Sequence, residues 1–297
     1  MPLKFTPKIL HLANLYFFIQ NMAEWHFSNR KEHNRTWRAE LNFSVEAENR
    51  IQEFRQIHQQ FPFGDKYLGR PFFLNDNPWS AIETLTGKND AIRIKNIFTA
   101  LEPYFNTLYA KDEVLLKKWV EIIEKPEFTQ NASYINDTLA CFYGCPKYDG
   151  NCTIYLLLST ERKNGGTAGT IDNRSVTIEL SQIPEKSEGL VRNILWHELI
   201  HLHFRNHKLY PLLYELTNND REVIGKIDEL VASALLPNGL LSKNILIPLS
   251  EFKVSKNYNA RIATEKIANI QKLIYPYLKQ KKTLDTKLAQ AFLEKVK

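Results

Sequence analysis

Five consecutive residues, His197-Glu198-Leu199-Ile200-His201, hold two imidazoles and a carboxyl at a spacing suited to chemistry. On a helix, positions i and i+4 project from one face, ~6 Å apart along the axis. Two imidazoles so placed can converge on one Zn2+ at ~2.0–2.1 Å. Glu198 can then reach a water on that ion as general base without taking a coordination position. Helix geometry alone would place all three functions.

That arrangement requires particular elements around it. From Ser187, in N-cap position, Leu190, Val191, Ile194 and Leu195 recur at helical spacing, so the pentapeptide falls inside a helix. Upstream, residues 152–159 form a continuous apolar run of strand type. Residues 161–175, rich in Gly and polar side chains, read as a loop. Residues 175–180 then alternate, with Val176, Ile178 and Leu180 on one face and Thr177 and Glu179 on the other. That pattern predicts a half-exposed strand at a sheet edge. A further helix is expected between Asp220 and Pro237.

Strand, exposed edge strand and HExxH helix, in that order, resemble the zincin superfamily of zinc metallopeptidases. The resemblance covers about residues 150–237. It implies a zinc cofactor, a peptide or protein substrate, and an edge strand that pairs with extended substrate. By resemblance, residues 175–180 would take that last role. The stretch DELVASALLP, beginning at Asp228, is also similar to a segment of the ImmA/IrrE-like peptidases.

The third ligand sets the subclass. His207 follows His201 by six residues, where the metzincin pattern puts its last His. That pattern needs a Gly where this chain has Phe204, and a downstream Met, whereas the only methionines are Met1 and Met22. A continuing helix would also turn His207 away from the metal face. A carboxylate from a second helix, as in gluzincins, is the other option. Glu222 and Glu229 share a helix face but lie about 10 Å apart along the axis, so only one can reach a given ion. Glu222 falls in a first turn, where an acid also answers the helix dipole. Glu229 is mid-helix, with the small residues Ala232 and Ser233 at i+3 and i+4 to let two helices approach. The expected ligands are therefore His197, His201 and Glu229, with Glu222, His207 and Asp228 as alternatives.

On this reading Glu198 takes a proton from the attacking water and passes it to the leaving amine. Tyr210, Tyr214, Tyr258 and His203 are candidate donors to the developing oxyanion. His203 otherwise reads as a packed or supporting histidine, and Trp196 as a core anchor. The competing reading is a non-catalytic helical binding module with a structural or vestigial zinc site.

The rest of the chain bounds these options. It has 297 residues, 43% hydrophobic and 24% charged, which excludes wholesale disorder. Thirty-nine basic against 33 acidic residues give +6, too small an excess to argue for nucleic acid. Cys141, Cys145 and Cys152 are too few and too odd for a disulfide framework. No His stands among them to complete a zinc knuckle, so they read as ordinary thiols in a reducing, cytoplasmic setting. Residues 9–19 are apolar but far short of a membrane span and interrupted by His11 and Asn14. Lys4 and Lys8 precede them as in a leader, yet no small-residue cleavage site follows. Leu12, Leu15, Tyr16, Ile19 and Met22 instead suit one face of a retained amphipathic helix.

Residues 1–130 are otherwise expected to be mainly helical. Ser44 caps one helix, Asn77-Pro78 opens another, and a periodic run over 89–124 breaks near Pro103 and closes before Pro126. The fold class expected is α+β: a zincin-like core over 131–240 with a small mixed sheet, flanked by helical regions 1–130 and 241–297.

Overall fold

A strand without polar alternation needs cover on both faces, and the apolar run at 152 receives it. The computed structural model describes residues 3–26, 29–62, 64–129, 132–160, 168–243, 245–248 and 264–296. Along the chain run β1 (Lys4–Lys8), α1 (His11–Ala23), α2 (Lys31–Glu40), α3 (Val45–His58), α4 (Arg70–Leu74), α5 (Trp79–Thr86), α6 (Lys88–Glu124) and α7 (Ala132–Tyr143). There follow β2 (Asn151–Leu157), β3 (Ala168–Asp172), β4 (Ser175–Glu179), α8 (Glu188–Leu202), α9 (Leu209–Thr217), α10 (Arg221–Leu235), α11 (Thr264–Lys279) and α12 (Thr286–Val296). The fold is α+β, mostly helical, with a four-stranded mixed sheet in the order β1-β2-β4-β3. β1, β2 and β4 are parallel, and β3 runs antiparallel to β4.

This order corrects the expectation for residues 175–180. β4 lies inside the sheet, and the edge on its side is β3, formed from residues read as loop. Asp172 makes the hairpin: its Oδ1 accepts from the Arg174 amide at 2.8 Å and from the Ser175 hydroxyl at 2.6 Å. Glu179 is buried rather than solvated, because α2 covers it: His33 Nε2 lies 2.9 Å and Arg30 Nε 3.4 Å from its carboxylate.

The N-terminal region also differs from its reading. Residues 4–8 pair with β2 as a strand of the sheet. α1 forms where expected but is buried nearly all round instead of along one stripe. Asn14, the polar interruption, clamps the end of β2: its amide donates to the Leu156 carbonyl at 3.0 Å and its oxygen accepts the Leu158 amide at 3.0 Å. α6 continues unbroken through Pro103. That proline sits on the solvent face, while Leu101 and Phe105 on the opposite side are fully buried, so packing holds both halves in one helix. Ser44 caps α3 as read, its Oγ accepting the Ala47 amide at 3.1 Å.

Several of these elements seat the HExxH helix, α8. Trp119 of α6 donates to the Ile183 carbonyl at 3.2 Å, fixing the approach to α8. Trp196 of α8, 1% exposed, packs edge-on against Phe5 of β1 with ring centroids 6.2 Å apart. Ser187 stands at the α8 N-cap without making a side-chain cap bond. α10 is capped by Asp220, whose Oδ1 accepts the Glu222 and Val223 amides at 3.1 Å, and it packs against both α8 and α11. Among the described residues no helix is long and apolar enough to cross a membrane.

Beyond α10 the chain reverses sharply, with the Leu240 amide on the Ala234 carbonyl at 2.9 Å and the Leu241 amide on the Leu235 carbonyl at 3.0 Å. Gly239 makes this possible: a Cβ there would lie 2.3 Å from the Ala234 carbonyl oxygen. Asn193 of α8 holds the turn, donating to the Ser242 carbonyl at 2.7 Å and the Pro237 carbonyl at 3.3 Å. Gly239→Ala should therefore cost roughly 1–3 kcal/mol by forced displacement of backbone. Urea unfolding measures it, and unchanged stability would contradict the close approach.

Candidate metal centre

α8 and α10 bring His197, His201 and Glu229 to one point. The Nε2 atoms of the two histidines are 3.0 Å apart. Glu229 Oε1 lies 3.5 Å from His197 Nε2, and Oε2 lies 3.3 Å from His201 Nε2. Donors ~2.0–2.1 Å from a tetrahedral ion lie about 3.3 Å from one another, and each of the three spacings is close to that length, with a different Glu229 oxygen facing each histidine. Ala232 and Ser233 are buried, and the Ser233 hydroxyl donates to Glu229 Oε1 at 3.4 Å.

The tautomers decide what this point can hold. His197 Nδ1 is 2.9 Å from the Leu236 carbonyl, an acceptor only, so Nδ1 carries the proton. His201 Nδ1 is 3.0 Å from Asp228 Oδ2, whose carboxylate likewise accepts. In the neutral rings both Nε2 atoms are then bare lone pairs, facing each other beside a carboxylate. Only a cation relieves that juxtaposition, either a proton or a metal ion. Nδ1–H bonded to oxygen with Nε2 free is also how metal-binding imidazoles are oriented.

Asp228 anchors the arrangement. Its Oδ2 accepts from Arg205 Nη1 at 2.6 Å, the Tyr210 hydroxyl at 3.1 Å and His201. Burial alone would raise its pKa, but His201 and Arg205 outweigh burial and hold it below the ordinary carboxylate range. Arg205 also lies over the Tyr210 ring at 4.9 Å. Burial disfavours a charged His201 as well; Asp228 and Glu229 overcome this and push it up to about 10. Glu229 is held far below its usual value, the two histidines overriding burial. Glu198, half-buried beside them, is raised, first by burial and then by the charge of Glu229, with the histidines opposing.

The alternatives named from sequence lie elsewhere. Glu222 is exposed at the start of α10, paired with Lys226 at 2.5 Å. Asp228 is a partner of His201 rather than a third ligand. His207 is not on a continuing helix: α8 ends at Leu202, a short 3-10 turn follows at Phe204–Asn206, and His207 approaches Cys145 and His203. Of the oxyanion candidates, the Tyr210 hydroxyl is spent on Asp228 and His203 Nε2 on the Pro146 carbonyl at 3.0 Å. Tyr214 packs edge-on against Tyr210 at the surface. Tyr258 lies outside the described residues.

Sequence reasoning missed Arg205 and the Leu236 carbonyl. Arg205 stands at i+4 from His201, a signal that could have been read. The carbonyl leaves no signature, since every residue carries one. Comparison with protein-family models, with curated proteins and with solved structures gave no match.

The raised His201 has a consequence for the metal-free protein. A folded-state pKa near 10 against an ordinary value of ~6.5 means stability fully present below ~6.5 and lost as pH climbs toward 10. Cys145 and Cys152, raised to about 11 and about 12, add a decline of their own only above ~8.5. The melting temperature of chelator-treated protein should thus fall between pH 6.5 and 8.5, and His201→Gln should flatten that slope. An identical slope in both proteins would exclude a raised His201.

Proposed function

We propose that this chain is a zinc-dependent peptidase with a zincin-like, gluzincin-type core. The observation that carries this reading is the pair of Nε2 atoms 3.0 Å apart with the Glu229 carboxylate against both. His197, His201 and Glu229 would hold the ion, and Asp228 and the Leu236 carbonyl would orient the imidazoles. Zinc bound there supplies a Lewis acid that polarises a peptide carbonyl and makes water acidic enough to attack near neutral pH.

The chain's own residues do the rest. Glu198 follows His197 directly and lies close enough to feel the charge of all three ligands. Its raised affinity for protons suits a base that takes one from the attacking water and delivers it to the leaving amide nitrogen. Substrate alignment falls to β3, which pairs with β4 alone among the described strands and packs against α8. An extended peptide adding to its outer edge would lie beside the HExxH helix. β3 would thus take the role that the zincin resemblance implied for residues 175–180.

Elemental analysis tests the site: His201→Ala should lose about one zinc equivalent per chain relative to wild type. Equal metal in the two proteins would sink the reading. Glu198→Gln separates catalysis from a structural site. It should keep its zinc while cleavage of a quenched-peptide library falls by roughly 10²–10⁴-fold. No cleavage by zinc-loaded wild type would favour the non-catalytic binding module. Asp228→Asn should weaken zinc binding by about 10–100-fold, read by competition with a chelating dye.

A further inference from the structure

The cysteine-rich stretch, which looked incomplete along the chain, acquires partners in space. Cys145 Sγ and a ring nitrogen from each of His203 and His207 all lie within 4.8 Å of one another. We propose that these three residues form a second metal site, for a borderline-soft divalent ion of the zinc and cobalt class. It shares no ligand with the site of His197, His201 and Glu229.

Cys145 packs at the margin of the core, and the backbone around it is fixed. α7 ends in a left-handed residue, Gly144 at φ +63°, and the Cys145 amide returns to the Ala140 carbonyl at 3.0 Å. That closure fixes the backbone carrying the sulfur. A Cβ on Gly144 would meet Thr283 Cγ2 at 2.5 Å, so only glycine suits both the conformation and the space. His203 Nε2 donates to the Pro146 carbonyl at 3.0 Å, which leaves Nδ1 as its lone-pair atom. The loop bearing that carbonyl is itself clamped: Asn136 accepts the Tyr148 amide at 2.9 Å and donates to the Tyr148 carbonyl at 2.7 Å. An imidazole so tied has the supporting bond typical of metal-binding histidines. His207 stands four residues on, across the short turn, with its ring centroid 5.0 Å from that of His203.

Ligand chemistry narrows the ion. One thiolate and two imidazoles suit zinc or cobalt and disfavour calcium and magnesium. Three protein donors leave a fourth position for water. Cys145 and His203 follow closely on the carboxyl ends of α7 and α8, where the helix dipole favours positive charge. On binding, the Cys145 S–H bond breaks, its proton goes to buffer, and the sulfur's electron pair forms the bond to the ion. Arg205 lies inside the 203–207 span and donates to Asp228, so an ion here would pin the turn that braces His201.

Cobalt distinguishes the two sites, since only a thiolate ligand gives a near-ultraviolet sulfur-to-cobalt charge-transfer band. Full-length protein, stripped by chelator and kept reduced with a phosphine, is titrated with Co2+. Wild type should bind two equivalents, one for each cluster, with the band present. Cys145→Ser should bind one equivalent and lose the band, while His201→Ala should bind one and keep it. His207→Ala, at an exposed position, should weaken the band-bearing site by at least roughly tenfold without loss of fold. Absence of the band in wild type, or its survival in Cys145→Ser, overturns the proposal. One equivalent with the band, indifferent to His201→Ala, would uphold this site and sink the peptidase reading instead.

Discussion

Two imidazole Nε2 atoms, held 3.0 Å apart beside a carboxylate, are the constraint on which the site depends. Neither ring can turn away, because each Nδ1–H is committed to an oxygen on a different part of the α10 hairpin. His197 is held by the carbonyl of Leu236, just past the helix, and His201 by the carboxylate of Asp228, within it. Removing either acceptor would let a proton change nitrogen and the lone pairs relax. The convergence belongs to the α8–α10 interface, not to the HExxH segment alone.

Charge accounting explains why that interface carries so much buried polarity. Asp228 is 2% exposed, and a lone carboxylate there would be costly. Three donors on one oxygen, two of them from residues able to carry positive charge, keep it ionised. The ionised Asp228 in turn draws a cation toward His201. Glu229 adds a second negative group on the other side of the rings, so two carboxylates and one guanidinium surround a point still short of positive charge. Any cation there, proton or metal, balances the cluster.

The same logic of fixed nitrogens recurs a few residues on. His203 is locked through Nε2 where His201 is locked through Nδ1, and each presents its remaining nitrogen to a different group of donors. The end of α8 at Leu202 makes this possible. A continuous helix would have carried His203 and His207 away from α7, whereas the 3-10 turn folds them against Cys145.

Periodicity and spacing alone determined the elements near the site: the helix bearing His197, Glu198 and His201, the apolar strand before it, and the second helix after Asp220 with its mid-helix glutamate. Those features were legible because each is a local pattern with a period of 3.6 or 2 residues. Tertiary structure decided which strand forms the edge, since alternation cannot tell a solvated face from one covered by another element, and His33 and Arg30 arrive from 140 residues away or more. It decided that Pro103 interrupts nothing, because burial of Leu101 and Phe105 outweighs one missing backbone bond. It also decided that His207 serves a different cluster from His201, and that a backbone carbonyl orients His197. A carbonyl has no letter in the sequence, and a contact between Cys145 and His203 has no spacing to read; both exist only once the chain has folded back on itself.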